Sequence, residues 1–348
     1  MKIYPVGGYV RDKLLGREPK DIDYVVVGSS PQEMLRAGFQ QVGSTFPVFL
    51  MDGCEYALAR TERKTGPGYM GFETVHDSSV TLEQDLQRRD LTINSMAFDG
   101  VTGQLIDPFG GKADLDKKVL RHTSDAFSED PVRVLRTARF AARYGFDVHD
   151  DTISLMCDIV HEIDDVPQER IWAEIQKGLM EQHPVKMFEV LHTVNAFSTL
   201  SLAPYAGVDM DALERVSDDD SLEVRFALVA SQFEDEDYET CCIPTTCSTL
   251  ARAINKNFAY LVTYPFHDAG TRVDLLTKLS WFSRPELLQQ VTQVIKFSND
   301  ACVPYIIADT ERLKLVDAGK IASQCTSGQQ IKEALRSARI EALLAEVK

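Results

Sequence analysis

Two aspartates, Asp21 and Asp23, open an apolar run, and a glycine pair, Gly7-Gly8, stands ahead of Arg11-Asp12 on a short helical stretch. Each part has a chemical use. Glycines without Cβ atoms let the backbone approach a phosphate closely and present N–H groups at a helix start. Tyr9 to Leu15 supports about two helical turns, which puts Arg11 within reach of an anionic ligand. Asp21 to Val27 is rich in β-branched residues and ends at Gly28, the pattern of a strand. Residues two apart on a strand share a face, so Asp21 and Asp23 point the same way. Two close carboxylates repel and need a cation between them. With oxygen ligands alone and a triphosphate nearby, Mg²⁺ fits best. The reaction suited to this set is two-metal phosphoryl or nucleotidyl transfer. A lone GG can be a plain turn and a lone DxD a solvated strand start. GGxxRD followed by DxD nine residues after Asp12 is far more specific.

Two more polar groups follow. In TLEQDLQRRDLTINSMAF (81–98) the pattern predicts a helix from Leu82 to Phe98 capped by Thr81, carrying Arg88, Arg89, Asp90 and Asn94. Surface pairs of the arginines with Glu83 or Asp85 would be the plain account if the first motif were absent. In EDPVRVLRTARFAARYG (129–145), Glu129 or Asp130 caps a helix, Pro131 takes its first position and Gly145 ends it. Arg133, Arg136, Arg139 and Arg143 fall within an arc of about 120°, opposite Val134, Leu135, Ala138, Ala141 and Ala142. Four guanidiniums on one face repel unless something anionic lies along them. They form either a solvated stripe or a set of forks for phosphates and base edges.

These groups need elements to hold them. The first 120 or so residues alternate as strand, a helix over Pro31–Ala37, short strands around QQVG, FPVFL and EYALAR, and a hairpin at Gly103–Pro108, closed by Gly110-Gly111. A mixed sheet with helices on one side fits them better than a doubly wound sheet, because no GxGxxG is present. Residues 62–80 lack periodicity and are expected to form a long mobile loop. After Leu120 nearly every apolar pattern is helical, with a junction near 203–223 and helices expected over Leu222–Gln232, Ser248–Tyr264, Ala269–Trp281, Pro285–Phe297, Thr310–Ala318 and Gly328–Val347.

A chain of 348 residues has room for two or more compact units. No apolar run approaches the roughly 20 residues that span a bilayer, and MKIYPVGG has no signal-peptide core. A cytoplasmic protein without membrane association is expected. The seven cysteines are scattered, and the Cys241, Cys242, Cys247 group lacks the second pair that zinc would need. A net charge of −16 argues against indiscriminate RNA binding. Much of it sits in 208–223 and 233–239, leaving room for a small, defined phosphate footprint elsewhere.

GGYVRD with DID resembles the first motif of the nucleotidyltransferase superfamily that contains DNA polymerase β. Adding RRDLTINSMAFD and EDPVRVLRTARFAARYGF, the chain resembles the class II tRNA nucleotidyltransferases, the CCA-adding enzymes. The likeness is close over residues 1–200, in particular to bacterial enzymes of the enterobacterial type, which PQEMLRAGFQQVGSTFPVFL, EYALARTERKTGPGY and the QERIW helix also fit. It weakens beyond Leu200 and returns faintly in QQIKEALRSARIEALL.

The resemblance implies an α+β chain: a polymerase-β-like head with a mixed sheet at 1–122, then an all-α neck with a nucleotide-selecting helix at 123–200, a body at 201–300 and a tail at 301–348. It implies that Asp21 and Asp23 hold Mg²⁺, that Gly8 and Arg11 contact the triphosphate, and that Arg89, with Asp90 and Asn94 beside it, binds phosphate and ribose. Asp130 and Arg133 would read the Watson–Crick edge of CTP or ATP in place of a template, with Arg136 and Arg139 also contacting the nucleotide. A carboxylate accepts from the exocyclic amine of C and A, and a guanidinium donates to their ring nitrogen and carbonyl positions, so the pair can reject U and G. The 62–80 segment would let one pocket take C twice and then A. The partners implied are the tRNA 3′ end, CTP and ATP, with no protein partner.

One departure concerns an HD phosphohydrolase domain that the enterobacterial relatives carry. Here only His267-Asp268 forms such a pair, with His192 far behind, and SLEVRFALVASQF contains none. No metal-dependent phosphatase or phosphodiesterase activity is expected. The helices from 201 on are then expected to hold tRNA. A poly(A) polymerase, an enzyme adding only C or only A, and a non-catalytic tRNA-binding module are the competing functions.

Overall fold

The computed structural model describes residues 1–19, 21–42, 48–64, 72–75 and 78–345, with 62–64 and 72–75 as backbone alone. The chain divides into two compact units, Met1–Ala203 and Pro204–Lys348.

The first unit opens with β1 (Lys2–Val6), α1 (Gly8–Leu14), β2 (Asp23–Val27), α2 (Pro31–Arg36), β3 (Gln40–Val42), β4 (Val48–Met51) and β5 (Cys54–Leu58). It continues with β6 (Thr61–Lys64), β7 (Phe72–Val75), α3 (Leu82–Gln87), β8 (Ala97–Phe98), β9 (Leu105–Ile106), α4 (Gly111–Lys117) and β10 (Val119–Leu120). Seven strands form one mixed sheet in the order β3-β4-β5-β2-β1-β8-β9, with β2 and β5 parallel and the other pairs antiparallel.

Period-two alternation along β2 divides the core between two faces. Val25 packs with Val6, Ala97 and Leu86 of α3, whereas Val26 packs with Met34 of α2, Phe39, Phe49 and Leu58. Helices therefore cover both faces and not one. The expectation failed because α2 and α3 are each too short to reveal which face they serve.

Three further expectations change. Asp21 lies ahead of β2, which begins only at Asp23, so the two aspartates are not both strand residues. The helix expected to run to Phe98 stops at Gln87. Beyond it the Leu91 N–H donates to Asp90 Oδ1, Ser95 Oγ donates to the Leu91 carbonyl, and a 3-10 turn spans Thr92–Asn94. These local side-chain bonds offer the backbone an alternative to helix. Within 62–80, β6 and β7 pair antiparallel where a loop without structure was expected. Residues 65–71 and 76–77 lie outside the described ones.

The rest of the first unit is helical apart from β11 (Asp147–Val148), which pairs with β10. Its helices are α5 (Val132–Tyr144), α6 (Asp150–Ile159), α7 (Gln168–Leu179) and α8 (Pro184–Thr193). Asp130 Oδ1 accepts the Val132 N–H at 3.1 Å to cap α5, and Gly145 closes it at φ 67°. Val134, Leu135, Ala138, Ala141 and Ala142 are fully buried, the apolar face that the periodicity marked.

The second unit is all helical among its described residues: α9 (Met210–Glu214), α10 (Leu222–Val229), α11 (Asp237–Thr240), α12 (Thr245–Val262), α13 (Ala269–Lys278), α14 (Pro285–Asn299), α15 (Val303–Lys314), α16 (Ala318–Ser323) and α17 (Gly328–Leu344). The helix expected to begin at Thr310 begins at Val303 and ends at Lys314, with Pro304 in its first turn. Burial pushes the Cys241 and Cys247 thiols up to about 11, so both stay protonated at neutral pH. Asp268 caps α13 through the Thr271 N–H, and His267 Nε2 is bonded to Thr263 Oγ1, which accounts for that pair structurally. Among the described residues no helix is long and apolar enough to cross a membrane.

Candidate active site

Register builds the site. Val6, the last residue of β1, pairs with Asp23 on one side and Ala97 on the other. The carboxylate at the start of β2 is thereby set beside the glycine turn that follows β1. Gly7 stands at φ 61°, and its N–H donates to the Met96 carbonyl at 3.1 Å.

Around this end of the sheet lies a cleft of about 480 Å³ lined by Gly7, Gly8, Asp23, Asn94, Phe140, two further aspartates and seven arginines. The arginines are Arg11, Arg60, Arg88, Arg89, Arg133, Arg136 and Arg170, and the other carboxylates are Asp90 and Asp130. Seven guanidiniums against three carboxylates make the cleft locally cationic in a chain of net charge −16. Phosphate binding depends on that local potential and not on the total.

Buried carboxylates fix the arginines in place. Asp85, with no exposed surface, holds Arg88 at 2.7 Å and Arg89 at 3.1 Å and accepts the Arg60 N–H at 3.3 Å. Burial alone would raise its carboxyl pKa, but Arg89 and Arg88 outweigh that and hold it below the ordinary carboxylate range. Of the two acids that the plain account offered, Glu83 and Asp85, it is Asp85 that pairs with both arginines, and the pairing is buried, not on the surface. Arg89 Nε is buried with no partner among the described residues, an orphaned donor that suits an anionic ligand.

Asp90 accepts Arg136 Nε and Nη2 at 2.9 and 2.7 Å on one oxygen, and the Leu91 N–H and Asn94 Nδ2 on the other. Burial opposes its charge, but the Arg136 guanidinium and these bonds hold its carboxyl well below the usual range. Asn94 Oδ1 in turn accepts from Arg11 Nη1, and Arg11 Nε donates to Asp12 Oδ1 at 2.9 Å. Tyr144 OH donates to the same Asp12 oxygen at 3.1 Å. Six residues from α1, the turn before β8 and α5 thus form one chain of hydrogen bonds that starts and ends on α5.

Arg133 donates to the Ala126 and Arg88 carbonyls at 2.8 and 2.7 Å. Asp130 Oδ2 accepts from Arg170 Nη2 at 3.2 Å.

The structure therefore brings together Gly8, Arg11, Asp23, Arg89, Asp90, Asn94, Asp130, Arg133 and Arg136. Asp21 and Arg139 are not among the lining residues. Asp21 is exposed ahead of β2, whereas Arg139 is 8% exposed and paired with Glu174 of α7. Helical spacing set Arg139 on the arginine arc, but α7 covers that part of it.

A chain with a head of this kind should have relatives, and it does. Residues 3–121 match the family described as Poly A polymerase head domain, and residues 145–204 match one described as "Probable RNA and SrmB- binding site of polymerase A". A "Multifunctional CCA protein" of Methylobacillus flagellatus is 40% identical over 399 residues, covering 99% of this chain and 97% of the relative. The chain belongs to the family of CCA-adding tRNA nucleotidyltransferases.

A Neisseria gonorrhoeae protein of the same description is 58% identical over 204 residues, 58% of this chain and 50% of its own. The chain spans about half the length of that relative. Solved CCA-adding enzymes share the fold. One in complex with ATP gives a TM-score of 0.73 at 22% identity, covering 100% of this chain and 87% of its own. A Thermotoga maritima enzyme complexed with tRNA gives 0.71 at 23%, covering 100% and 88%.

Sequence reasoning left Arg60, Arg88, Phe140 and Arg170 without a role in the site. QERIW, one of the runs that carried the family likeness, contains Arg170, so a signal was present. Phe140 is 4% exposed, with the guanidinium carbons of Arg139, Arg11 and Arg136 at 4.5, 5.4 and 5.7 Å from its ring centroid.

Of the two glycines that line the cleft, Gly7 has the less room for a side chain. A Cβ there would stand 2.8 Å from Arg89 Nη1, on a backbone at φ +61°. Gly7→Ala costs roughly 1–2 kcal/mol for the left-handed backbone and displaces the Arg89 head. The KM for CTP is expected to rise about tenfold, measured by steady-state extension. An unchanged KM would mean that Arg89 does not contact the nucleotide.

Proposed function

We propose that this cleft adds nucleotides from CTP and ATP to the 3′ end of tRNA, building and repairing the terminal CCA without a nucleic-acid template, in the cytoplasm. The observation that carries the proposal is the placement of Asp23, at the sheet end beside the glycine turn, in the same arginine-lined cleft that Asp130, Arg133 and Arg136 enter from beside and along α5.

Asp21 and Asp23 are assigned to Mg²⁺. Both are exposed, and among the described residues neither is tied up in an ion pair. An oxygen-only pair completed by substrate phosphates and water fits that ion. When bound, Mg²⁺ would activate the RNA 3′-hydroxyl and neutralise triphosphate charge. Arg11 and Arg89 bind the phosphates, and Asp85 and Asn94 keep both guanidiniums oriented before the ligand arrives. Asp130 and Arg133 select the base. Asp90 acts on the nucleotide through Arg136 and Asn94. Arg139 ties α5 to Glu174 of α7, a positioning role in place of the direct contact that the resemblance implied.

In the second unit, Arg252, Lys256, Lys278 and Arg284 line a groove of about 510 Å³. Arg252 and Lys256 pair there with Asp235 of the acidic 233–239 run, so Lys278 and Arg284 are the residues we assign to holding the RNA backbone.

Extension of end-labelled tRNA lacking its CCA, resolved at single-nucleotide steps with CTP, ATP or both, tests the proposal. Two additions with CTP, a third only with ATP present, and then a stop are expected. A long ladder with ATP alone would make the chain a poly(A) polymerase. A stop after C-C with both nucleotides present would make it a partial enzyme, and no extension would make it an RNA-binding module.

A further inference from the structure

We propose that Arg170 is a specificity-determining residue, which acts by fixing the orientation of the Asp130 carboxylate. The inference rests on Asp130 reading the base edge.

Asp130 is held on both oxygens. Oδ1 accepts the Val132 N–H at 3.1 Å and Oδ2 accepts Arg170 Nη2 at 3.2 Å. The first bond only pivots the carboxylate about the start of α5. The second prevents rotation about that pivot. Each carboxylate oxygen has two lone pairs, so an acceptor site on Oδ2 remains to face the cleft.

Arg170 is itself rigidly presented. It stands in the first turn of α7, and Glu174, one turn on, pairs with Arg139 of α5. Ile171, Trp172 and Ile175 bury the opposite side of α7. Spaced four apart, Arg170 and Glu174 lie on one helix face, so α7 clasps α5 through two ion pairs of opposite polarity. The first of these, Arg170 with Asp130, lies in the cleft.

The chemistry follows from the difference between the bases. At the edge position where cytosine and adenine carry an amine, uracil and guanine carry a carbonyl. A fixed acceptor meets the amine and repels the carbonyl. A carboxylate free to swing could turn away from the carbonyl and would lose that penalty. Losing the charged hydrogen bond from Arg170 is expected to lower the preference for CTP over UTP by about 10- to 100-fold. The kcat for CTP should fall far less than the preference does.

The test uses the full chain with tRNA lacking its CCA and measures kcat/KM for all four nucleotides in the wild type, Arg170→Ala, Arg170→Lys, Asp130→Ala and the double variant Asp130→Ala/Arg170→Ala. Arg170→Ala and Asp130→Ala should each lose the CTP-over-UTP preference, and the double variant should lose no more than Asp130→Ala. Arg170→Lys should recover part of it, because it keeps the charge without the planar fork. It also serves as the readout if Arg170→Ala does not fold.

A uniform fall for all four nucleotides in Arg170→Ala, with the preference kept, while Asp130→Ala loses it, would overturn this inference alone. Preference kept in both single variants would overturn base reading by Asp130 and this inference with it.

Discussion

Replacing Asp23 with alanine is expected to lower single-turnover addition of every nucleotide by about a thousandfold or more, since on our proposal it removes a carboxylate that would hold the metal and forfeits several kcal/mol of charge stabilisation at the transition state. Asp23 is exposed, and its strand bonds to Val6 and Glu55 are made by backbone. The substitution should therefore leave thermal unfolding and tRNA affinity close to those of the wild type. Asp21→Ala is expected to lose turnover to the same degree, from a position ahead of the strand. Asp23→Ala that kept more than about a tenth of wild-type turnover would remove this residue from the reaction.

Asp85 is the opposite case, a residue that touches no ligand yet should not be removable. Asp85→Ala takes away the single fully buried carboxylate that holds both Arg88 and Arg89. Breaking such a pair from one side costs about 3–5 kcal/mol. For a unit of this size that corresponds to a fall in melting temperature on the order of 10 °C. The pH dependence has a definite sign. Because the folded-state pKa of Asp85 is depressed, its contribution is fully present above the ordinary carboxylate pKa of about 3.9. It is lost as pH falls through the folded-state value. The wild type should therefore be more stable than Asp85→Asn at pH 7, and the gap should close below about pH 4. A pH-independent gap measured by thermal unfolding would show that packing, not charge, is what Asp85 supplies.

Much of the site was legible because nucleotide chemistry restricts residue types. Glycines near phosphate, paired carboxylates and guanidinium forks stand out even without a fold, and Gly8, Arg11, Asp23, Arg89, Asp130, Arg133 and Arg136 meet in one cleft. Three things were not legible. Helical spacing gave the arc of Arg133, Arg136, Arg139 and Arg143 but not which part α7 covers, and that decides the fate of Arg139. Local hydrogen bonding at Asp90, Leu91 and Ser95 ended a helix that propensity would have continued. Arg170 and Asp130 are 40 residues apart, and no periodicity links positions across that distance. For the fold, the mixed sheet followed from the scarcity of strand–helix–strand alternations and the absence of GxGxxG. Helix placement on its two faces required knowing which neighbours Val25 and Val26 would meet.

The hydrogen-bonded chain Tyr144–Asp12–Arg11–Asn94–Asp90–Arg136 begins and ends on α5, and it limits how the molecule can be rebuilt. A chimera whose imported α5 lacked an arginine at 136 or a tyrosine at 144 would lose the chain at that end. Arg11 on α1, which we assign to the phosphates, would then lose part of the support that reaches it through Asp12 and Asn94. Asp12, Asn94 and Asp90 must travel with the helix, so the transplantable module is the whole bonded chain, not the motif that contains Asp130 and Arg133.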